Sequence, residues 1–149
     1  MRVLITGNRG YLGAEMTAYL QQYGYELCGL DTDYYAGCDF GEMPADIPTL
    51  NMDIRDVTPS HLTGFDAVIH LAALSNDPLG SLDPRLTQDI NLQATIALAA
   101  AAKAAGVERF LFASSCSLYG SGGDMALTED AIQRPVTPYG ASKVGAEAA

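Results

Sequence analysis

Ser115, Tyr139 and Lys143 are side chains of the types that together can move a proton and a hydride. Tyr139 and Lys143 stand four apart in the run YGASK, which puts both on one face of a helix. A phenol is a poor base at neutral pH, since its reference pKa is about 10. An ammonium ~5 Å away, at an effective dielectric of about 20, stabilises the phenolate by about 3 kcal/mol. The positive ring of an oxidised nicotinamide adds to this effect. A tyrosine so placed can remove a hydroxyl proton while hydride leaves the same carbon for the cofactor. Ser115 would hydrogen-bond the same substrate oxygen and hold it in line. A Tyr and a Lys four apart are also a common surface pair, so the trio gains its meaning from what else the chain carries.

The first thirteen residues, MRVLITGNRGYLG, supply that context. Arg2 to Thr6 is a short β-branched apolar run suited to a buried strand, broken at Gly7. Gly7, Gly10 and Gly13 follow as G-x-x-G-x-x-G, one residue longer in the first gap than the common dinucleotide turn. An amphipathic helix is predicted over 11–23, opening with Tyr11 and Leu12. Gly7 allows a sharp turn, Gly10 leaves no Cβ between backbone and phosphate, and Gly13 lets helix and strand pack closely. The helix N-terminus offers unpaired N–H groups and a positive dipole end to a pyrophosphate. The next predicted strand, 25–30, ends in Asp31, near the ~20-residue offset of the acid that binds a ribose 2′-hydroxyl. A carboxylate there repels a 2′-phosphate, and no Lys or Arg lies between Arg9 and Arg55. The expected cofactor is NAD.

The chain has 149 residues, 48% apolar and 17% charged, enough for one globular domain over 1–149 with a real core. A net charge of −10 argues against nucleic acid or an anionic membrane as partner. Three cysteines at no regular spacing give neither a disulfide framework nor a metal site, and Cys28 reads as a small hydrophobe within a strand. With no signal-like segment and no apolar run of membrane length, a cytoplasmic location is expected.

Further along, 32–48 is a loop rich in Asp, Gly and Pro. Its Tyr34-Tyr35 pair is read as partly buried loop packing in preference to a cover for an adenine ring. Strands are predicted at 49–52, 67–71 and 109–113, with a helical turn at 59–62. Residues 74–84 read as a polar loop, and 84–105 as one long helix stopped by Gly106. Its alanine-rich stretch 94–102 suits close packing against a second subunit. A glycine-rich loop, 120–123, leads to a last helix beginning near Tyr139. Strand–helix alternation at this rhythm means right-handed crossovers and a parallel α/β sheet, with the ligand crevice at the strand C-terminal ends. The predicted strand order is 3-2-1-4-5.

Taken together, residues 6–13 (TGNRGYLG), Asp31, 52–56 (MDIRD), 70–73 (HLAA), Asn91, 114–120 (SSCSLYG) and 139–143 (YGASK) resemble the N-terminal half of an extended short-chain dehydrogenase/reductase. The resemblance is to the NAD-dependent sugar-nucleotide epimerase/dehydratase family. It implies a Rossmann-type doubly wound fold and a sugar-nucleotide substrate. It implies that Asp53 and Ile54 flank the adenine, that Leu71, Ala72 and Ala73 line the ribose and phosphate side, and that Asn91 shapes the same pocket. Ala113 and Ser114 fall at the cofactor side of the fifth strand end, and Ser115, Tyr139 and Lys143 at the catalytic positions. Read alone, Asp53 is equally a helix cap, Asn91 a helix-surface amide, and His70 a core histidine, the reading preferred for it.

The 4,6-dehydratases of this family carry Asp-Glu directly after the catalytic Thr, whereas here those positions hold Cys116-Ser117. C4 epimerisation is therefore expected ahead of dehydration or 4-keto reduction. A silent dinucleotide-binding module, acting as a redox sensor, is the reading from another class, and the complete Ser–Tyr–Lys set argues against it. Cys116 reads as a bystander thiol, with His61 and His70 on other elements. Family members are about twice as long, so the chain is expected to be an incomplete nucleotide-binding domain without a C-terminal substrate region. As such it should bind the adenosine half of NAD, self-associate and show no turnover. A homodimer through the 84–105 and 139–149 helices is expected.

Overall fold

The run RVLIT forms β1 (Arg2–Thr6), the middle strand of a five-stranded parallel sheet. The computed structural model describes residues 1–38, 46–75, 77–121 and 126–149. Pro44 of the first long loop, and Gly122 and Gly123 of the glycine-rich loop, lie outside the described residues. β2 (Glu26–Asp31) and β3 (Thr49–Asn51) lie to one side of β1, β4 (Ala67–His70) and β5 (Arg109–Phe112) to the other. The order β3-β2-β1-β4-β5 is the one expected, and every neighbouring pair is parallel. Thr6 pairs with both Leu30 and His70, so the three central strands finish level. Gly7, Asp31 and Leu71, which follow those paired positions, therefore lie at one edge of the sheet.

The chain divides into two compact units, one of Met1–Ala72 with Ala97–Ala113, the other of Ala73–Ile96 with Ser114–Ala149. The first holds the sheet, α1 (Tyr11–Gln21) and most of α4 (Ala94–Ala104). Its apolar runs are buried as continuous strands, the pattern a parallel sheet covered on both faces produces. Val3, Ile5, Leu27, Ile47 and Ala67 cluster with Met16 and Leu20 of α1. Leu4, Leu30 and Val68 are fully buried too, and alternation along β1 puts Leu4 on the face opposite Val3 and Ile5. β5 is the edge strand, and its Leu111 is 50% exposed. Gly106, at φ +81°, ends α4 as expected, with the Val107 N–H donating to the Ala102 carbonyl at 3.0 Å. Tyr34 and Tyr35 are exposed, not partly buried as the sequence suggested. No helix among the described residues is long and apolar enough to cross a membrane.

The second unit departs from the sequence reading in two places. Residues 74–84, read as a polar loop, contain α2 (Asp77–Leu82). Pro78 falls in its first turn, where a missing N–H costs nothing, and Asp77 meets the positive helix end. Contacts rather than periodicity hold it. Thr87 Oγ1 donates to the Gly80 carbonyl at 3.0 Å, and a Cβ at Gly80 would lie 3.6 Å from that of Tyr139. The helix expected over 84–105 runs without a break from Pro84 to Ala104, but as α3 (Pro84–Gln88), a π-helical turn (Asp89–Gln93) and then α4. Asp83 caps α3 by accepting from the Arg85 and Leu86 N–H groups. The widened turn carries Asn91, which is 1% exposed and clasps Leu74 at both ends. Its Nδ2 donates to the Leu74 carbonyl at 3.0 Å, and its Oδ1 accepts from the Leu74 N–H at 2.8 Å. Asn91 is therefore no surface amide. α5 (Pro138–Ala148) completes the unit.

Replacing Leu4 by Ala should cost about 2–5 kcal/mol of unfolding free energy, the range for a fully buried leucine. Leu111→Ala, on the exposed edge, should cost under about 1 kcal/mol. Urea denaturation followed by circular dichroism reads both, and equal losses would contradict this placement of the core.

Candidate functional site

The glycine turn closes so tightly that side chains are excluded from it. Gly7 has φ +73°, and a Cβ there would stand 2.7 Å from the Ala72 backbone nitrogen. At Gly13 a Cβ would stand 2.0 Å from the Gly7 carbonyl oxygen. Both obstacles are backbone, so neither can be relieved by a rotamer change. The Gly7 N–H donates to the Leu30 carbonyl at 2.8 Å, and the Gly10 N–H to that of Gly7 at 3.1 Å. The first bond of α1 runs from the Ala14 N–H to the Gly10 carbonyl, and no side chain caps the helix at Gly10. The N–H groups of Tyr11, Leu12 and Gly13 thus have no intrahelical acceptor. A concave backbone with outward N–H groups and no Cβ in the way fits a pyrophosphate.

Asp31, at the end of β2, ties this turn to the following loop. Its Oδ2 accepts from the Arg9 N–H and its Oδ1 from the Asp33 N–H, both at 2.9 Å. The Arg9 guanidinium is ion-paired with Asp33. Sequence reasoning missed that pair. Arg9 lies inside the glycine spacing and Asp33 beyond the strand end, so no pattern in the sequence joins them. Asp53 caps the turn Ile54–Asp56 by accepting from the Arg55 N–H, and the Arg55 side chain bonds both its oxygens. Those bonds hold the Asp53 carboxyl below the usual carboxylate range. Ile54 beside it is buried.

His70 is a core residue, 2% exposed, with its Nδ1 2.7 Å from Thr6 Oγ1. The Leu71 N–H donates to the Thr6 carbonyl at 3.1 Å and the Ala72 N–H to Thr6 Oγ1 at 3.4 Å. Ala113 continues β5, its N–H donating to the His70 carbonyl at 3.2 Å. The first unit therefore gathers Gly7, Gly10, Tyr11, Leu12, Gly13, Asp31, Asp53, Ile54, Leu71, Ala72 and Ala113 beyond the strand C-terminal ends. An apolar groove lined by Met1, Leu20, Tyr25, Arg109 and Leu111 lies at the opposite ends of the strands, away from the expected crevice.

The second unit holds Ala73, Asn91, Ser114, Ser115, Tyr139 and Lys143. Thr137 caps α5 by accepting from the Gly140 N–H at 3.1 Å, and Pro138 occupies the first turn. That start fixes Tyr139 and Lys143 one turn apart, with Lys143 Nζ 5.7 Å from the Tyr139 ring centre. Lys143 is 4% exposed, and burial lowers its pKa to about 8, with Glu147 pulling the other way. Ser115 opens the turn Cys116–Tyr119, its Oγ accepting from the Ser117 N–H at 3.2 Å. That turn is pressed onto α5. A Cβ at Gly140 would lie 2.7 Å from the Ser117 carbonyl oxygen. The glycine beside Tyr139 is thus what lets the serine turn and the Tyr–Lys helix meet. Cys116 is exposed, while His61 is engaged with Thr58 and His70 with Thr6.

A model of the NAD dependent epimerase/dehydratase family matches residues 3–149. The chain belongs to that family. Its relatives include the UDP-glucose 4-epimerase of Streptomyces lividans, 35% identical over 98% of this chain and 45% of the relative. Among solved structures, MoeE5 in complex with UDP-glucose and NAD is 31% identical with a TM-score of 0.86, over 99% of this chain and 47% of that one. DesIV, a dTDP-glucose 4,6-dehydratase from Streptomyces venezuelae with NAD bound, is 30% identical with a TM-score of 0.87, over 99% and 50%. The chain spans about half the length of the relatives it matches.

Burial of Lys143 has a consequence for stability. Below pH 8 the lysine is charged in both the folded and unfolded chain, and the folded state bears the full cost of desolvating it. Between pH 8 and 10.5 the folded chain releases that proton while the unfolded chain keeps it, so stability rises with pH. Lys143→Met should therefore stabilise the fold at pH 7 by up to about 3 kcal/mol and abolish the rise above pH 8. Denaturation midpoints across that pH range measure both effects. A methionine variant less stable at pH 7 would contradict the assigned burial cost.

Proposed function

We propose that this chain is the NAD-binding part of a sugar-nucleotide 4-epimerase, with Tyr139 as its base. The observation that carries the reading is the second unit's pairing of a buried Lys143 with Tyr139, on a helix pressed against the turn that begins at Ser115. Bound NAD supplies the acceptor and later the donor of the hydride. Tyr139 takes the proton of the sugar C4 hydroxyl as the C4–H bond breaks, leaving a 4-ketone on the sugar. Ser115 hydrogen-bonds that oxygen throughout. Lys143 stays largely protonated at neutral pH and sets its positive charge beside the Tyr139 ring. The proton returns from Tyr139 when the ketone is reduced from the other face, which inverts C4 and consumes no net oxidant.

In the first unit, Gly7, Gly10 and Gly13 admit the pyrophosphate to the N–H groups of Tyr11 and Leu12. Asp31 takes the adenosine ribose hydroxyls, and Asp53 and Ile54 border the adenine. Leu71, Ala72 and Ala113 are the remaining cofactor residues of the first unit; those of the second are Ala73, Asn91 and Ser114, with Tyr139 and Lys143 assigned to the nicotinamide ribose. Residues 1–149 act here as one nucleotide-binding domain. The enzyme works as a homodimer through the 84–105 and 139–149 helices. The exposure of Ile96, Ala97 and Ala100 on α4 supports that face as a contact.

The likeness to the DesIV dehydratase favours 4,6-dehydration as the second reading. Against it stand Cys116 and Ser117, neither of them a carboxylate, in the turn that follows Ser115. The protein that contains this chain should interconvert UDP-glucose and UDP-galactose, or another C4 pair, without releasing a 4-keto-6-deoxy sugar. Accumulation of that alkali-absorbing product would overturn the epimerase reading. Tyr139→Phe should lower kcat by about 10²–10⁴ with little change in KM. NAD should bind at least tenfold more tightly than NADP, a gap of about 1.4 kcal/mol, and calorimetry giving equal affinities would remove Asp31 from the ribose.

A further inference from the structure

Arg9 and Asp33 form an ion pair at the edge of the glycine turn, and nothing in the turn's pyrophosphate role requires it. Its position is specific. The Arg9 backbone N–H is bonded to one oxygen of Asp31, and the Asp33 backbone N–H to the other. Both partners of the pair are therefore anchored to the carboxylate that the proposed function places on the adenosine ribose. Asp33 reaches Arg9 from a left-handed backbone, φ +56°, the single non-glycine residue among those described with positive φ. Asp and Asn tolerate that conformation better than most residues. Both side chains are about one-third exposed, 38% for Arg9 and 32% for Asp33, so the pair borders solvent where a ribose substituent would sit.

We infer that the Arg9–Asp33 pair sets dinucleotide choice, with Asp33 masking a guanidinium that would otherwise accept a 2′-phosphate. With the pair intact its charges cancel, and the field at the ribose edge is that of Asp31 alone, which repels a phosphate. Without the Asp33 charge, Arg9 offsets Asp31 and offers its planar fork of N–H donors, the geometry that binds phosphate oxygens in pairs. NADP is then no longer excluded. The NAD complex changes little, because the ribose hydroxyls still meet Asp31. The inference rests on Asp31 as the ribose acid, so the experiment tests that separately.

NAD and NADP are titrated calorimetrically into the chain and four variants at low and moderate salt. Asp33→Asn keeps a residue suited to positive φ and removes the charge. It should bind NADP about tenfold more tightly than the parent, with NAD changed less than threefold and the gain shrinking as salt rises. Adding Arg9→Gln to Asp33→Asn should abolish the gain. Arg9→Gln alone leaves Asp33 unmasked beside Asp31 and should weaken NADP several-fold relative to NAD. That variant reads the inference even where Asp33→Asn folds poorly. An Asp33→Asn protein that binds NAD normally with no gain for NADP would overturn the inference. So would a gain that survives removal of Arg9, or an unchanged NADP to NAD ratio in Arg9→Gln. Asp31→Asn with unaltered affinity for both cofactors would instead sink the ribose reading, independently of the pair.

Discussion

The contact on which the nucleotide-binding unit depends is that of the Gly7 carbonyl with Gly13, where a Cβ would stand 2.0 Å from the oxygen. No side chain fits between them, so the N-terminus of α1 comes down directly onto the end of β1. Two further constraints hold that arrangement from below. The Gly7 N–H is bonded across to Leu30 at the end of β2, and Thr6 is fixed by His70 and in turn holds Leu71 and Ala72. Asn8 adds a third. Its side chain occupies the space left by Gly29, where a Cβ would lie 2.3 Å from it, and its Nδ2 donates to Thr49 Oγ1 at 3.1 Å. The turn proposed to admit an anion is thereby pinned to strands on both sides of β1. Rigidity at this place suits an anion site built from backbone N–H groups rather than mobile cationic side chains.

The second unit solves a different problem. A lysine proposed to assist a tyrosine base must be near it, dry and still charged. Burial at 4% exposure takes its pKa to about 8, low enough to cost stability and high enough to keep most of the charge at pH 7. The helix that carries it starts at a Thr137 cap and Pro138, and Gly140 lets its first turn meet Ser117. Stability is given up at Lys143, whose proposed role a hydrophobic residue could not perform, a trade common at active sites.

Much of this was legible in the sequence, for identifiable reasons. Buried parallel strands are continuous apolar runs, so Arg2–Thr6, Glu26–Asp31 and Ala67–His70 were visible within a residue, and strand–helix rhythm gave the sheet order. The glycine turn announced itself by spacing, and Gly106 by its place after an apolar helix. α2 was not legible. A six-residue helix with Pro78 and Gly80 has no periodicity to read, and it exists because Thr87 and Tyr139 close on it. The π-helical turn was hidden as well, since one extra residue per turn leaves a helical pattern looking continuous, and Asn91 is drawn inward by its two bonds to Leu74. The Arg9–Asp33 pair depends on a left-handed residue at Asp33, a backbone choice that composition does not reveal.

The account stands most directly on where the dinucleotide touches this chain, and amide NMR shifts on titration with NAD measure that. The backbone amides of Gly10, Tyr11, Leu12 and Gly13 should move most and saturate together, with Asp31 and Asp33 following at the ribose end. Largest shifts at the opposite strand ends, around Met1, Tyr25 and Leu111, with the glycine-turn amides unmoved, would contradict it.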